Sequence, residues 1–269
     1  MLLVLPSDSS LRRLSKVTPM ADGYRADLAY IHDAGHTGFA TGAAPGLLAL
    51  LRRHGITGGL VVDLGCGSGV WARILTDAGY DVLGVDYSAA MIDLARRRAP
   101  RAKFRNESYT QVNLPRCDAV TSVGECLNYL FVRNTRAALA RLFGRVYDAL
   151  RPGGVFVFDV LEPGQLSGGK PRKGHRTAGD WAVVVDVEED RAQQVLTRRI
   201  TSFRRIGKLY RRDEEVHRQR LYPARDLTAA LSRVGFCVRV LRGYGDFRLG
   251  RAHVVLLARK PGSARNGRS

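Results

Sequence analysis

The chain has 269 residues, of which 45% are hydrophobic, so it can bury a full core and is neither disordered nor fibrous. Its 43 Lys and Arg against 25 Asp and Glu give a formal net charge of +18, which favours nucleic acid, an acidic membrane surface or an anionic substrate as partner. Most of the excess arginine is spread over predicted helices and strands, so nucleic acid is the less favoured partner.

The cysteines and the first residues exclude several classes of protein. Four cysteines stand without a CxxC pair or nearby metal-ligand spacing, so we expect neither a metal site nor a disulfide framework. The opening MLLVLP is shorter than a signal peptide and far shorter than the ~20 apolar residues of a membrane span. We therefore expect a cytoplasmic protein that does not enter a membrane.

The first 161 residues predict two helices and then a regular alternation of strand and helix. The helices are YRADLAYIHDAG, ending at Gly35, and APGLLALLRRHG, opened by Pro45 and closed by Gly55. Buried strands are predicted at GLVVDLG, YDVLGVD, AKFR, CDAVTSV and GGVFVFDVL, with apolar residues at helical spacing between them. This alternation predicts an α/β fold with a mostly parallel sheet covered by helices on both faces.

A change of pattern follows at residue 162. Residues 162–179 are rich in Gly, Pro and basic residues and predict a mobile loop or crossing segment. Three antiparallel strands, DWAVVVDVEED, QVLTRRITSFRR and KLYRRDEEVHRQRLYP, precede a last helix and two last strands, and the latter two of the three are joined at Ile206-Gly207. The predicted units are a helical cap (1–55), a core (56–161 and 223–261), an insertion (162–222) acting as a lid or homodimer surface, and a disordered tail (262–269).

A glycine-rich turn is the most informative local motif. In VVDLGCGSGV a strand ends in an acid and is followed by Gly65, Gly67 and Gly69, so the backbone can approach a ligand beside a helix N-terminus. A dinucleotide fingerprint needs glycine at position 70, where Val70 stands, and the Gly-Lys-Ser/Thr ending of a P-loop is absent. Asp86 ends the second strand, where a carboxylate accepts hydrogen bonds from both hydroxyls of an unmodified ribose.

Four segments in order, VVDLGCGSGVWARIL, VLGVDYSAAMIDLARRRAP, CDAVTSVGECLNYL and ALRPGGVFVFDVLEPG, resemble the class I S-adenosylmethionine (SAM)-dependent methyltransferases. The resemblance implies a Rossmann-like, seven-stranded fold, with SAM as cofactor and S-adenosylhomocysteine as product. The adenine contact departs from the family pattern, because Ser108 or a shifted Glu107 stands in place of the usual acid. The residues that the resemblance and the motif implicate in cofactor binding are Asp63, Gly65, Cys66, Gly67, Gly69, Asp86, Tyr87, Met91, Ser108, Tyr109, Val123 and Gly124.

Methyl transfer from a sulfonium is an in-line displacement, which needs alignment more than a strong acid or base. The segment after strand four borders the methyl group in this fold, so Glu125 is the first candidate to orient or deprotonate the acceptor. The alternative is that Glu125 interacts with backbone N–H groups at a helix start. Tyr30 and His32 are candidates to cover the sulfonium or bind the acceptor, although an ordinary packing role is the commoner one for each.

The helical cap and the strand insertion resemble the small-molecule branch of the family, including glycine N-methyltransferase-like and aminosugar N-methyltransferases. In the last predicted strand of the insertion, Arg211, Glu215, His217 and Gln219 share one face; we slightly favour a solvent-facing charge ladder over a pocket lining there. Candidate substrate-binding residues are Tyr24, Asn128, Tyr129, His217, Tyr222, Tyr244 and Arg248.

Three functions follow from these patterns. The favoured one is methyl transfer to a nitrogen or oxygen of a small molecule. An RNA methyltransferase is the alternative within enzymes, supported by the net charge and by the basic run KPRKGHR at 170–176. A SAM-binding regulatory protein without turnover is the third.

Overall fold

A seven-stranded sheet forms the centre of the computed structural model, which describes residues 23–130 and 135–262. Its strands are β1 (Leu60–Leu64), β2 (Asp81–Asp86), β3 (Lys103–Asn106), β4 (Cys117–Ser122), β5 (Leu150–Leu161), β10 (Cys237–Leu241) and β13 (His253–Arg259). The sheet order is β10-β13-β5-β4-β1-β2-β3, and β13 alone runs antiparallel to its neighbours. The central strands are buried on both faces, as their continuous Val- and Leu-rich runs predict. The predicted fold class is therefore confirmed.

Helices cover both faces of this sheet. They are α1 (Ala26–Gly35), α2 (Gly38–Arg53), α3 (Val70–Asp77), α4 (Ala89–Arg98), α5 (Thr135–Ala149) and α6 (Ala224–Val234). Local sequence sets their ends: the Ser88 hydroxyl accepts a hydrogen bond from the Met91 N–H at 3.2 Å and caps α4, and Gly235 ends α6 in the left-handed region.

The predicted start of α2 at Pro45 is wrong, because the helix begins seven residues earlier and Pro45 lies inside it. Pro45 is exposed, so water can solvate the carbonyl that loses its intrahelical partner. Burial of Ala43, Ala44 and Leu47 against the sheet outweighs that loss. Gly46 permits this close approach, since a Cβ there would lie 2.0 Å from the Tyr244 carbonyl oxygen.

The insertion folds into a second, four-stranded antiparallel sheet in the order β6-β7-β8-β9. Its strands are β6 (Arg172–Ala178), β7 (Trp181–Asp190), β8 (Val195–Ile206) and β9 (Leu209–Arg220), and the predicted hairpin at Ile206-Gly207 is confirmed. Residues 162–179, predicted as a loop, contain a short turn at Ser167–Gly169 and strand β6. Every side chain of β6 is exposed, so backbone pairing to β7 forms the strand without any alternation of apolar residues that sequence inspection could detect.

This second sheet lies against the carboxyl end of the central sheet. Tyr129, in the segment after β4, pairs with Gln219 of β9, and the Leu130 N–H donates to the Arg218 carbonyl at 3.0 Å. Helix α1 packs beneath it through Leu28 and Ile31, which contact Trp181. The insertion and α1 therefore cover the carboxyl ends of β1, β2 and β4.

Two smaller features complete the described chain. Strands β11 (Gly243–Tyr244) and β12 (Phe247–Arg248) form a hairpin in the segment predicted as a loop between the last two core strands. Residues 1–22 of the predicted cap and 263–269 of the predicted tail lie outside the described residues.

Candidate functional site

The glycine turn after β1 has the backbone conformation that its sequence predicts. Gly65, Gly67 and Gly69 have φ of +73°, +52° and +78°, in the left-handed region that favours glycine. A Cβ on Gly65 would lie 2.6 Å from the Cys126 Sγ atom, and one on Gly69 would lie 2.9 Å from Ala95. A Cβ on Gly67 would meet nothing within 4 Å, so this backbone faces open space. Gly69 supports the turn from behind and, unlike the other two, does not line the cavity.

Asp86 closes the turn from the end of β2. Its Oδ2 accepts from the Gly67 N–H at 2.9 Å, and its Oδ1 accepts from the Ser88 N–H at 2.9 Å. Burial raises the pKa of Asp86 to about 6, although the hydrogen bonds from these amides act in the opposite direction. The Tyr87 N–H also interacts with this carboxylate, so three of its roughly four acceptor positions are used and at least one stays open.

Asp63 lies beneath the same turn on β1. Its Oδ1 accepts from the Thr121 hydroxyl at 2.8 Å, and that hydroxyl accepts in turn from the Trp71 indole N–H at 3.2 Å. Burial raises the pKa of Asp63 to about 7, with a smaller contribution from the negative charge of Asp86 in the same direction. The cavity floor therefore holds two carboxyl groups whose pKa values burial raises toward neutral pH.

Glu125 projects from the segment after β4 and is held by the second sheet. Its Oε2 accepts from Arg198 Nη2 and from Gln219 Nε2, each at 3.0 Å. Burial alone would raise the pKa of Glu125, but the Arg198 charge and the Gln219 hydrogen bond outweigh it and lower the pKa overall. The alternative role at a helix start is wrong, since the Glu125 side chain makes no capping hydrogen bond.

Asp159, a residue that sequence inspection missed, fixes the backbone of this segment. It is fully buried at the end of β5 and accepts from the Gly124 and Glu125 N–H groups, both at 2.8 Å. The Tyr244 hydroxyl donates to it at 2.7 Å, and His253 Nε2 lies 2.7 Å away. These contacts hold Glu125 at φ +65°, an unusual conformation for a residue other than glycine. The signal available in the sequence was a single acid within the apolar run VFVFDVL.

Tyr24 and Tyr129 form a second polar group beside Glu125. Their hydroxyls lie 3.0 Å apart, and the Tyr24 ring centroid lies 4.8 Å from that of His217 and 5.2 Å from that of His32. Burial raises the pKa of Tyr24 to about 12 and lowers that of His32 to about 4. Both tyrosines and His32 are therefore neutral at pH 7.

The solvent-facing charge ladder that we favoured for β9 is wrong for one face of the strand, and the predicted substrate residue His217 on that face does not line the cavity. Glu215, His217 and Gln219 are all buried. Glu215 accepts from the Tyr24 N–H at 2.6 Å and the Arg25 N–H at 2.9 Å, and its Oε2 lies 2.8 Å from His217 Nε2. The face is buried because α1 covers it, which the sequence of β9 alone does not reveal.

Two predicted site residues, Tyr30 and Ser108, are held away from the cavity by other contacts. The Tyr30 hydroxyl donates to Asp180 and its ring lies 3.8 Å below the Arg204 guanidinium, on the outer side of α1. The Ser108 hydroxyl lies 2.8 Å from that of Thr110, and neighbouring Glu107 lines the cavity instead.

The buried Asn128 amide is occupied by backbone groups of Leu161 and Arg220 and so has a structural role. Three further predicted substrate residues also lie elsewhere. Tyr222 packs in the core beneath α6, Tyr244 is buried with its hydroxyl on Asp159, and Arg248 lies in a separate surface depression.

All the groups that remain converge on one cavity of about 380 Å³. Its predicted lining residues are Tyr24, His32, Asp63, Gly65, Cys66, Gly67, Asp86, Tyr87, Met91, Tyr109, Val123, Gly124, Glu125 and Tyr129. Residues that sequence inspection did not single out as site residues also line it, among them His36, Phe39, Trp71, Glu107 and Arg198.

Comparison with known proteins agrees with this arrangement. Residues 61–154 match the family described as "Methyltransferase domain". This stretch of the chain is a methyltransferase domain. The resemblance and the cofactor predicted from the sequence are thus confirmed.

A malonyl-[acyl-carrier protein] O-methyltransferase from Pectobacterium atrosepticum is 36% identical over 121 residues, which cover 45% of this chain and 45% of that protein. The chain thus spans less than half the length of this relative. A dTDP-3-amino-3,6-dideoxy-alpha-D-glucopyranose N,N-dimethyltransferase from Streptomyces fradiae is 28% identical over 84% of this chain and 89% of its own length. The structure of a sugar N-methyltransferase from Streptoalloteichus has a TM-score of 0.74 at 20% identity, covering 93% of this chain and 99% of that one.

The cavity fits SAM in the chemistry of its walls. Gly67 leaves a cradle that a Cβ would fill, Asp86 offers at least one open acceptor position, and carboxyl groups line the floor where a sulfonium and an ammonium group need negative charge. Within residues 23–130 and 135–262 no cluster of three His, Cys, Asp or Glu could hold a metal ion. In the same ranges no helix is long and apolar enough to cross a membrane.

Proposed function

We propose that this chain transfers a methyl group from SAM to the amino nitrogen of a small molecule. The observation that carries the proposal is a single cavity with Asp86 and the glycine turn on one side and the Glu125–Arg198 pair and Tyr24–Tyr129 on the other. A cofactor on the first side would direct its reactive end to the second. When bound, SAM supplies an electrophilic methyl group on a positively charged sulfur.

On the cofactor side, each residue has a role set by its chemistry. Asp86 would accept from the two ribose hydroxyls, and the Gly65–Gly67 backbone would lie along the methionine portion. Glu107 lines the cavity whereas Ser108 does not, which supports Glu107 as the acceptor for the adenine amino group. Tyr87 and Met91 line the same wall as apolar surface.

On the acceptor side, Glu125 would orient the amine. Its lowered pKa keeps it ionised, so it would accept a hydrogen bond from the acceptor amine, bound as the free base, and stabilise the positive charge that the nitrogen gains on methylation. The methylated ammonium product would lose its proton to solvent after it leaves the site. Tyr24, Tyr129 and His32 are neutral and would add dipoles around the acceptor amine. Arg198 and Gln219 hold the Glu125 carboxylate in place.

Two observations favour nitrogen over oxygen. The cavity is lined by Asp63, Asp86, Glu107 and Glu125, with Arg198 as its only Arg or Lys among the described residues, and this surplus of carboxyl groups suits a basic amine. The Streptomyces fradiae relative, named for N-methylation of an aminosugar, aligns over most of this chain, whereas the O-methyltransferase aligns over less than half.

The test is calorimetry of SAM binding combined with mass spectrometry of amines incubated with the chain and SAM. Asp86→Ala should weaken SAM binding by about 1.5–3 kcal/mol, because the ribose loses its charged acceptor. Asp81→Ala, at the exposed start of the same strand, is the matched control and should bind like the unmodified chain. Unchanged SAM affinity in Asp86→Ala would contradict the proposed placement of the cofactor.

The two alternatives give other results in the same experiment. A SAM-binding protein without turnover would yield no methylated amine, phenol or acid across the panel. An RNA methyltransferase would bind RNA with an affinity that falls steeply between low and moderate salt. Homodimer formation through the insertion stays a prediction, which sedimentation of the full chain would test.

A further inference from the structure

A second cavity opens beside the first and leads to the surface. Its volume is about 450 Å³, and it shares Tyr24, His32, His36 and Arg198 with the cavity described above. Its outer wall is the edge strand β6, which begins within the basic run KPRKGHR. The acceptor side of the site is therefore continuous with a groove along β6.

The register of the second sheet decides which side chains of β6 face this groove. Arg172, Gly174 and Arg176 pair with Val187, Val185 and Val183 of β7, and directly opposed residues in antiparallel strands lie on the same face. The three valines pair in turn with Arg198, Ile200 and Ser202 of β8. One cross-strand row thus runs from Arg172 through Val187 and Arg198 to His217, from the open edge to the buried site.

The two arginines on this face are not neutralised. Neither Arg172 nor Arg176 has a carboxylate within ion-pair distance in the part of the chain that the structure describes. Lys173 on the opposite face lies 3.8 Å from Asp186. Gly174, between the arginines, has nothing within 4 Å of its Cβ position, so a gap separates them. Burial lowers the pKa of His36 at the inner end of the groove, and the charge of Arg176 lowers it further.

We propose that Arg172 and Arg176 bind an anionic group of the methyl acceptor, a phosphate or diphosphate that lies over Gly174 while the amine lies at Glu125. This proposal rests on the proposed function and adds a substrate class to it: amines that carry a phosphoryl group. The site then matches a molecule of opposite charges, because the inner cavity is rich in carboxyl groups and the outer groove is basic.

The dimensions suit a small molecule. Neighbouring strands lie about 4.8 Å apart, so the β6 backbone at Arg172 is about 10 Å from the β8 backbone at Arg198. Arg172 and Arg176 are four residues apart, about 13 Å along the strand, and two extended guanidinium groups can converge on one phosphoryl group between them. An acceptor with its amine and anion about one sugar and one phosphate apart fits this span.

The first test measures anion binding without turnover. The full chain, saturated with S-adenosylhomocysteine, is titrated with inorganic pyrophosphate at low salt. We expect saturable binding that Arg172→Gln/Arg176→Gln weakens about tenfold, since two charge-assisted contacts are lost at an exposed site. The matched control, Arg141→Gln/Arg233→Gln, removes two exposed arginines from α5 and α6 and should bind like the unmodified chain. Absence of saturable binding, or equal weakening in both double variants, would overturn the proposal.

The second test uses pairs of amines that differ by one phosphate ester, such as glucosamine and glucosamine 6-phosphate. The phosphorylated member should have the higher kcat/KM, and Arg172→Gln/Arg176→Gln should remove that preference. If amines are methylated but kcat/KM does not depend on the two arginines, the anion site is rejected and the proposed function stands. If pyrophosphate binding depends on the arginines but no amine is methylated, the proposed function is rejected and the anion site stands. Binding of single-stranded RNA that needs both arginines, without pyrophosphate binding, would assign the groove to a nucleic-acid backbone and overturn the proposal.

Discussion

The two sides of the cavity are built in different ways. The cofactor side is made by short stretches of chain at the ends of β1 and β2, and its main polar contact joins residues 19 apart, Gly67 and Asp86. The acceptor side is assembled from distant segments: Tyr24 meets Glu215, 191 residues away, and Glu125 meets Gln219, 94 residues away. A local motif can therefore specify the first side, whereas only the complete fold specifies the second.

Breaking the local motif should have the largest effect. Gly65→Ala places a methyl group 2.6 Å from the Cys126 Sγ atom at a residue with φ +73°, so it adds a steric clash to backbone strain. We expect a loss of about 3 kcal/mol in the free energy of unfolding, measured by urea denaturation, together with loss of SAM binding.

Gly79→Ala is the matched control for this change. Gly79 has φ +91° but nothing within 4 Å of its Cβ position, and it lies outside the cavity. Strain alone should cost about 1 kcal/mol there, and SAM binding should persist. Equal losses in the two variants would show that the contact with the segment after β4 is unimportant.

Breaking the long-range contacts should affect turnover and spare the cofactor. Glu125→Gln should lower kcat/KM about 100-fold, because the acceptor loses its charged partner and Arg198 is left uncompensated. The SAM dissociation constant should change by less than about threefold in calorimetry, since Glu125 lies on the acceptor side. Equal losses of SAM affinity and kcat/KM would mean that the two sides are not separable.

The same contrast explains what the sequence could predict. Gly65, Gly67 and Asp86 were recognisable because the strand, the turn and the acid are adjacent in a pattern with one physical purpose. Arg198 gave no such signal, since its importance depends on the register that sets it beside His217 and on the approach of Glu125. The role of Asp159 was likewise not recognisable, because its hydrogen-bond partners come from three separate segments, at Gly124, Tyr244 and His253.

Protonation offers a finer test of the cofactor side. The pKa of Asp86 is raised to about 6, so its ionised form, the one that accepts ribose hydroxyls, is lost as pH falls through 6. SAM affinity should therefore fall about tenfold between pH 7 and pH 5. The sign for stability is opposite: the folded-state pKa lies above the unfolded value, so ionisation of Asp86 between pH 4 and 6 lowers the free energy of unfolding.

Other ionisable groups near Asp86 are Asp63, Cys66, Tyr87 and Cys126. Of these, Asp63 titrates nearest to pH 6, because its pKa is raised to about 7. Asp63→Asn removes that contribution and should leave the tenfold change due to Asp86. An affinity for SAM that is independent of pH in this variant would contradict the role of Asp86.

The smallest expected effect separates two neighbours on α1 that sequence inspection ranked alike. Tyr30→Phe should leave kcat/KM within about twofold and lower the free energy of unfolding by about 0.5 kcal/mol, because its hydroxyl only bonds Asp180 near the surface. His32→Gln, two residues away, changes a buried ring that contacts Tyr24 and lines both cavities, so it should raise the KM for the acceptor. A helix cannot present residues two apart on the same face. If Tyr30→Phe impaired turnover as much as His32→Gln, the orientation of α1 over the acceptor side would have to be wrong.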